Sequence, residues 1–153
     1  MSKQHNIMVV DDEENILRAI RRLFAAEPDW HVETYSNPED ALRRAQTSLW
    51  DVVLSDCNMP GMDGIEFLQA MKDVQPDCIR IMLTGMVNID TLVSAINSAS
   101  AFRFYPKPWH DEQLIQGVKE GIALREILVE NRMLAEKVRD QEAQLQHLLQ
   151  YAG

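Results

Sequence analysis

Five short apolar runs, separated by stretches of helical period, constrain the fold of this chain more than any other feature. The runs read as strands at about 6–10, 31–35, 51–55, 79–83 and 102–105, with helices between them at about 13–26, 38–47, 64–74 and 88–99. Strict alternation of strand and helix predicts an α/β fold: a doubly wound parallel sheet with helices on both faces. Its crossovers are then right-handed. The second run, with His31, Glu33 and Thr34, is the least apolar and is expected at a sheet edge. Asn37-Pro38 places a proline at a helix start. Ile16, Leu17, Ile20, Leu23 and Phe24 form one helical face, and Gln75-Pro76-Asp77 ends the third helix.

The chemistry collects at strand ends. Asp56 closes the run Asp51-Val52-Val53-Leu54-Ser55 and is followed by the turn Cys57-Asn58-Met59-Pro60-Gly61-Met62-Asp63-Gly64. Asp11 and Asp12 close the run Ile7-Met8-Val9-Val10, and Lys107 follows Phe102 to Tyr105. In an open parallel sheet, the carboxyl ends of the strands are where ligands bind. Three carboxylates and a lysine on adjacent strand ends make a cation site and a phosphate site side by side.

Composition excludes several classes. A chain of 153 residues, 46% hydrophobic, supports one cored domain with an appendage. The formal charge of −9 argues against direct nucleic-acid binding, which needs a basic footprint. Residues 121–153 hold four basic and five acidic side chains, net −1, so about −8 lies in residues 1–120. Part of that charge is solvated surface, but a local acidic cluster suits a divalent cation. Cys57 and Cys78 give neither a disulfide framework nor zinc spacing, and read as reduced thiols of a cytoplasmic protein. No apolar run approaches the ~18 residues of a membrane span, and no signal peptide is visible.

Beyond His110 the helical pattern continues to Gly153, with Gly117 and Gly121 as its only weak points. A 3-4 spacing runs through Leu124, Ile127, Asn131, Leu134, Val138, Gln141, Leu145 and Leu148. This is a heptad seam with two polar positions, flanked by Glu126, Glu130, Arg132, Glu136, Lys137 and Arg139. A helix over 110–149 is about 60 Å long. Its expected role is a two-stranded coiled coil that makes a homodimer; the alternative is a helix folded back on its own domain.

Four segments together resemble the receiver domain of two-component response regulators. They are Val9-Val10-Asp11-Asp12-Glu13, Leu54 through Gly64, Leu83-Thr84-Gly85, and Tyr105-Pro106-Lys107-Pro108-Trp109. Each alone is weak; in this order, each at a strand end, they are specific. The resemblance covers about residues 5–122 and leaves 123–150 as a helical linker. It implies a flavodoxin-like (βα)5 sheet with an extended C-terminal coiled-coil helix. It also implies a phosphorylation switch in which a sensor histidine kinase or phosphotransfer protein donates to Asp56. Aspartate as a nucleophile toward phosphorus gives an acyl phosphate, and attack on an anionic phosphoryl group calls for a divalent ion.

By the resemblance, Asp12 and Asp56 ligate Mg²⁺ directly, Asp11 acts mainly through water, and Asn58 offers its backbone carbonyl. Lys107 contacts a phosphoryl oxygen, Thr84 moves to bond the phosphoryl group, and Phe104 is the switch aromatic. Asn58 and Met86 match positions that tune dephosphorylation. Lys107-Pro108 matches a peptide bond that is typically cis.

Plainer readings stand beside these. Asp11 or Asp12 serves as an N-cap of helix 13–26, Asp63 shapes the loop into helix 64–74, and Thr84 and Phe104 are ordinary strand-end and core residues. Cys57 is packing. His5, His31, His110 and His147 fit no metal pattern. Segment 102–109 resembles receivers joined by a helical linker to phosphodiesterase, phosphatase or transcription-activator modules, so the chain is expected to be a fragment of a longer regulator. A haloacid-dehalogenase-type phosphatase needs a second carboxylate two residues after its nucleophile, where this chain has Asn58. No Gly-x-Gly-x-x-Gly follows the first strand, against a dinucleotide enzyme. A phosphorylation-independent interaction module is the remaining alternative. Trp109 and Trp50 are expected near the site as reporters.

Overall fold

The computed structural model of the protein describes residues 4–85 and 88–152. Met86 lies outside them. The elements alternate as expected: β1 (His5–Val10), α1 (Glu14–Phe24), β2 (Trp30–Tyr35), α2 (Pro38–Ala45), β3 (Val52–Asp56), α3 (Gly64–Val74), β4 (Ile79–Thr84), α4 (Ile89–Ser98), β5 (Arg103–Pro106) and α5 (Asp111–Ala152). All strand pairings are parallel, in the order β2-β1-β3-β4-β5. The order reverses at β1, so β1 and β3 lie side by side at the switch point and bring Asp11, Asp12 and Asp56 to one edge.

Each central strand is buried on both faces, which is why it reads as an unbroken apolar run. Met8, Val10, Val53 and Met82 join Phe67, Leu68 and Met71 of α3 in one core layer. Ile7, Val9, Leu54 and Ile81 join Leu17, Ile20 and Phe24 of α1 and Leu114 and Val118 of α5 in the other. Alternation along each strand supplies both layers. The polar β2 is an edge strand, as its composition predicts. Its Glu33 accepts from both Arg44 (3.0 and 3.1 Å) and Tyr35 (2.7 Å) and lies 2.8 Å from His31. The Arg44 bonds hold the Glu33 carboxyl down at about 2, against the desolvation that opposes them.

β5 forms the opposite edge and runs one residue later than the sequence suggests. The Phe102 N–H still bonds Arg80 O, but the strand ladder begins at Arg103. Asn37 caps α2 by accepting from Glu39 N–H at 2.8 Å, with Pro38 at its first position.

α5 is one helix of 42 residues, about 63 Å long. Its buried residues are Leu114, Gly117, Val118, Gly121 and Ile122, and from Glu130 to Ala152 every residue is exposed. The helix therefore projects and does not fold back along its length. Gly117 and Gly121 are contact points, not weak points. A Cβ on Gly117 would sit 1.8 Å from the Tyr105 hydroxyl, and one on Gly121 would sit 3.1 Å from Ile79. Two ion pairs tie the emerging helix to the lower end of the sheet: Arg125 to Asp51 at 3.2 Å and Arg132 to Asp77 at 2.5 Å. Asp51 also accepts the Asn6 N–H at 2.7 Å.

Buried Gln75 stitches the same end. It accepts the Trp50 N–H at 2.9 Å and donates to Ala45 O and Ser48 O at 2.6 Å each. Trp50 is thus a core residue before the start of β3, about 20 Å of extended strand from Asp56. The expectation that it lies near the site is wrong: the strand separates them.

Candidate functional site

β1 delivers Asp11 into full burial, and the chain holds it there. Its N–H donates to Tyr35 O at 3.1 Å, and its Oδ1 accepts the Glu13 N–H at 2.9 Å. Its Oδ2 accepts from Lys107 Nζ at 2.6 Å. Neither Asp11 nor Asp12 is the N-cap of α1. That position is Glu13, which makes no side-chain cap bond. Asp12, next in line, is exposed.

β3 delivers Asp56, which is 6% exposed. The next residue, Cys57, donates its N–H to Leu83 O at 3.0 Å, and the chain then leaves the sheet. The turn that follows is tightly specified. Gly61 has φ +85°, a conformation that costs any L side chain. Asp63 caps α3 by accepting from Glu66 N–H at 2.8 Å, the structural role expected of it. Gly64 packs with no space for a side chain: a Cβ there would lie 1.9 Å from the Asp56 carbonyl oxygen. Asn58 is exposed in this turn, two residues beyond Asp56.

The third contribution comes past β5. The Lys107 N–H donates to Thr84 O at 2.7 Å, and the Lys107–Pro108 bond is cis, as the resemblance suggests. The Lys107 ammonium spans two carboxylates, 2.6 Å from Asp11 and 3.0 Å from Asp56, with 12% of its side chain exposed. Thr84 is buried, and its hydroxyl lies 3.5 Å from Tyr105 O. Phe104 stands outward on the edge strand, 45% exposed, so it is no core residue in this state.

Carboxylate oxygens of Asp11, Asp12 and Asp56 all lie within 4.8 Å of one another. Burial pushes the Asp56 carboxyl above its ordinary range and the charge of Asp11 adds to this, while the Lys107 hydrogen bond opposes both. Burial alone would lower the Lys107 ammonium, but its bonds to Asp11 and Asp56 prevail and raise it. Three carboxylates against one ammonium leave a formal −2 in a small volume. An all-oxygen donor set of that charge suits a hard divalent cation such as Mg²⁺. The chemistry open to Asp56 is nucleophilic attack through a carboxylate oxygen, with Lys107 placed to meet an incoming anion.

Sequence reasoning brought Asp11, Asp12, Asp56, Lys107 and Thr84 to one edge, and they are there. It missed the steric demand at Gly64 and the pairing of Arg125 and Arg132 with Asp51 and Asp77. The seven-residue spacing of the two arginines, two helical turns on one face, was the available signal for the latter.

Among the described residues, no helix is long and apolar enough to cross a membrane. The family model of the response regulator receiver domain matches residues 7–119. The hydrogenase transcriptional regulatory protein HoxA of Bradyrhizobium diazoefficiens is 32% identical over 124 residues, 81% of this chain and 25% of its own length. The chain thus spans about a quarter of the length of the curated relatives it matches. The signal receiver domain of an HD domain-containing protein from Pseudomonas fluorescens Pf-5 superposes with TM-score 0.78 at 26% identity. That match covers 81% of this chain and 98% of the other. The beryllofluoride-activated NtrC4 receiver domain dimer superposes with TM-score 0.73 at 29% identity, covering 78% and 98%. With the family model spanning most of its length and its topology agreeing with these structures, the chain belongs to the receiver domain family of two-component response regulators.

Proposed function

We propose that Asp56 is the phosphoacceptor of this receiver, which acts in the cytoplasm, and that a sensor histidine kinase or phosphotransfer protein is its donor. The observation that carries the reading is the Lys107 ammonium held between Asp11 and Asp56 with Asp12 alongside. An Asp56 oxygen forms the new O–P bond as the P–N bond of the partner's phosphohistidine breaks. Asp12, Asp56 and the Asn58 carbonyl, with Asp11 acting through water, would hold Mg²⁺, which when bound would supply neutralising charge between the carboxylates and the phosphoryl group. Lys107 turns from Asp56 to a phosphoryl oxygen. The Thr84 hydroxyl, whose 3.5 Å contact with Tyr105 O is long for a hydrogen bond between oxygens, is cheap to redirect toward the same group. Phe104 then has reason to turn inward from its exposed position. The protein acts as a two-state switch biased by a charge change and not as an enzyme in its own right.

Residues 5–122 form the receiver unit and 123–150 the linker. The output is dimerisation through the α5 seam, where Ile127, Leu134, Val138, Leu145 and Leu148 are each at least half exposed in the single chain. It also includes control of a module attached beyond the linker.

Intact-protein mass spectrometry after incubation with acetyl phosphate tests the site. The expected result is a Mg²⁺-dependent gain of one phosphoryl group, about 80 Da, in wild type and none in Asp56→Asn. Equal gain in both proteins refutes Asp56 as acceptor. No gain with acetyl phosphate, phosphoramidate or a panel of histidine kinases would instead favour a phosphorylation-independent module.

A further inference from the structure

We infer that Arg80 is a positioning residue: its guanidinium fixes the C-terminal end of α4 to β4, so that α4 answers phosphorylation of Asp56 by swinging its N-terminal end about residues 99–100. The swing rests on the phosphoacceptor reading above; the fixed end stands without it.

Arg80 is the second residue of β4 and is 8% exposed. A strand buried on both faces ordinarily takes an apolar residue there, and a buried charge needs partners. The acids of that end of the sheet, Asp51 and Asp77, are taken by Arg125 and Arg132. The partners of Arg80 are carbonyls instead. Its Nε donates to Ala99 O at 2.9 Å. One terminal nitrogen donates to Cys78 O at 2.7 Å and Pro76 O at 3.4 Å, and the other to Ser100 O at 3.4 Å. Burial pushes the guanidinium down from its ordinary range, and no carboxylate offsets it.

Those carbonyls lie at two helix ends. Ala99 and Ser100 follow α4, whose last turn carries no basic residue, and Pro76 and Cys78 follow α3. Open carbonyls at a helix C-terminus carry the negative end of its dipole. One cation from the sheet therefore serves both ends and supplies the base that the last turn of α4 lacks.

The turn after α4 is held against its preference. Ser100 has φ +50°, uncommon for a residue other than glycine. Such a conformation persists where its surroundings over-determine it. Here the Arg80 carbonyl also accepts the Phe102 N–H at 2.8 Å, and Ser100 Oγ accepts from Lys72 Nζ of α3 at 2.9 Å.

β4 thus holds α4 at both ends by different means. At one end Thr84 closes the strand and the chain leads into α4 at Ile89. At the other, Arg80 of the same strand grips residues 99–100. A change at Thr84 reaches the first end and is resisted at the second. A swing of about 10° about residues 99–100 carries Ile89 about 2.7 Å and Ile96 about 0.9 Å. The exposed apolar residues Ile89, Val93 and Ile96 are therefore displaced in that order.

Hydrogen exchange by mass spectrometry tests both parts on wild type, Arg80→Met, Arg80→Lys and Lys72→Met. Each protein is measured untreated and after acetyl phosphate with Mg²⁺, with the intact mass recorded on the same samples. In the untreated proteins, Arg80→Met is expected to speed exchange of 95–102 about tenfold or more, and of 88–93 less than about threefold. A uniform rise along the chain is plain loss of stability and overturns the fixed end, as does no rise. Arg80→Lys keeps the charge without the fork that reaches both helix ends. It is expected to speed 95–102 by an intermediate factor, and it decides the matter if Arg80→Met does not fold. Lys72→Met is expected to change little; an effect equal to that of Arg80→Met moves the hold to the Ser100 side chain and overturns the role of Arg80. On phosphorylation, wild type is expected to change more in 88–93 than in 95–102, and Arg80→Met in both. Equal change at both ends of wild-type α4, or a mass gain with no change in α4, overturns the swing. Absence of the gain of about 80 Da refutes the phosphoacceptor reading and the swing with it, while the untreated proteins still decide the fixed end.

Discussion

Gly64→Ala isolates the packing that seats the phosphoacceptor. Alanine in place of glycine in a helix ordinarily gains about 1 kcal/mol, so a free site would be stabilised. Here the added Cβ falls 1.9 Å from the Asp56 carbonyl oxygen, and 2.9 Å from both the Asp56 carbonyl carbon and Cys57 Cα. An ordinary contact is about 3.5 Å, so the overlap exceeds an ångström. All three neighbours are backbone, and no rotamer change relieves them. Overpacking of this kind costs about 1–3 kcal/mol or more. After the propensity gain, a net loss of about 2 kcal/mol is expected in urea denaturation, at unchanged m-value. The relief has to come from β3 or α3 moving apart, and β3 carries the Asp56 carboxylate. A shift approaching 1 Å at a reacting group costs up to about a hundredfold in rate. Phosphorylation by acetyl phosphate, followed by mass spectrometry, should therefore slow tenfold or more under conditions where the variant is folded. Gly61→Ala is the control. At φ +85° with nothing within 4 Å, it should lose about 1–2 kcal/mol from conformation alone and keep a phosphorylation rate near wild type. A Gly64→Ala protein as stable as wild type and phosphorylated as fast would refute the steric argument.

Three further outcomes follow from side-chain partners. Lys107→Met removes the cation that now shares Asp11 and Asp56, taking the site from −2 to −3. Mg²⁺ should bind at least tenfold tighter by titration of Trp109 fluorescence, while phosphorylation slows; unchanged affinity would mean that Lys107 does not compete with the ion. Glu33 has a carboxyl lowered from 4.5 to about 2, so its contribution is complete above pH 4.5 and is lost as pH falls toward 2. The cluster is near solvent, so Glu33→Gln should cost about 1 kcal/mol at pH 7 and converge with wild type near pH 2; a constant difference across that window would refute it. Gln75→Leu strips partners from the Trp50 N–H and from the Ala45 and Ser48 carbonyls, and should cost about 2–4 kcal/mol in thermal denaturation.

The order of elements and the edge that carries the chemistry were legible because each strand is a short apolar run that stops at a polar turn. Asp56 and Lys107 needed only their strand ends to be placed. Less local features escaped. Gly117 and Gly121 look like helix-weakening residues in sequence, since only the fold brings Tyr105 and Ile79 over them. Gly64 belongs to a recognisable turn, yet its steric demand comes from a carbonyl eight residues away. Phe102 has a strand former's character, but the β5 ladder opens one residue later. Trp50 lies next in sequence to the start of β3, whereas the site lies at that strand's far end. In sequence Asp51 only opens the third apolar run and Asp77 only closes the turn after the third helix, and the exit path of α5 is what pairs them with Arg125 and Arg132.

The unbroken run of α5 from the receiver to residue 152 has a mechanical consequence. Beyond Arg132, the last residue paired to the sheet end, the helix extends about 30 Å without a hinge residue, so it can work as a lever arm pivoting at the base of the sheet. A tilt of about 5° at that pivot carries the tip about 2.6 Å, far more than any atom near the pivot moves. The displacement delivered to whatever is fused or bound at the tip is therefore set by helix length, and trimming the arm by whole heptads would scale the stroke while leaving the pivot untouched.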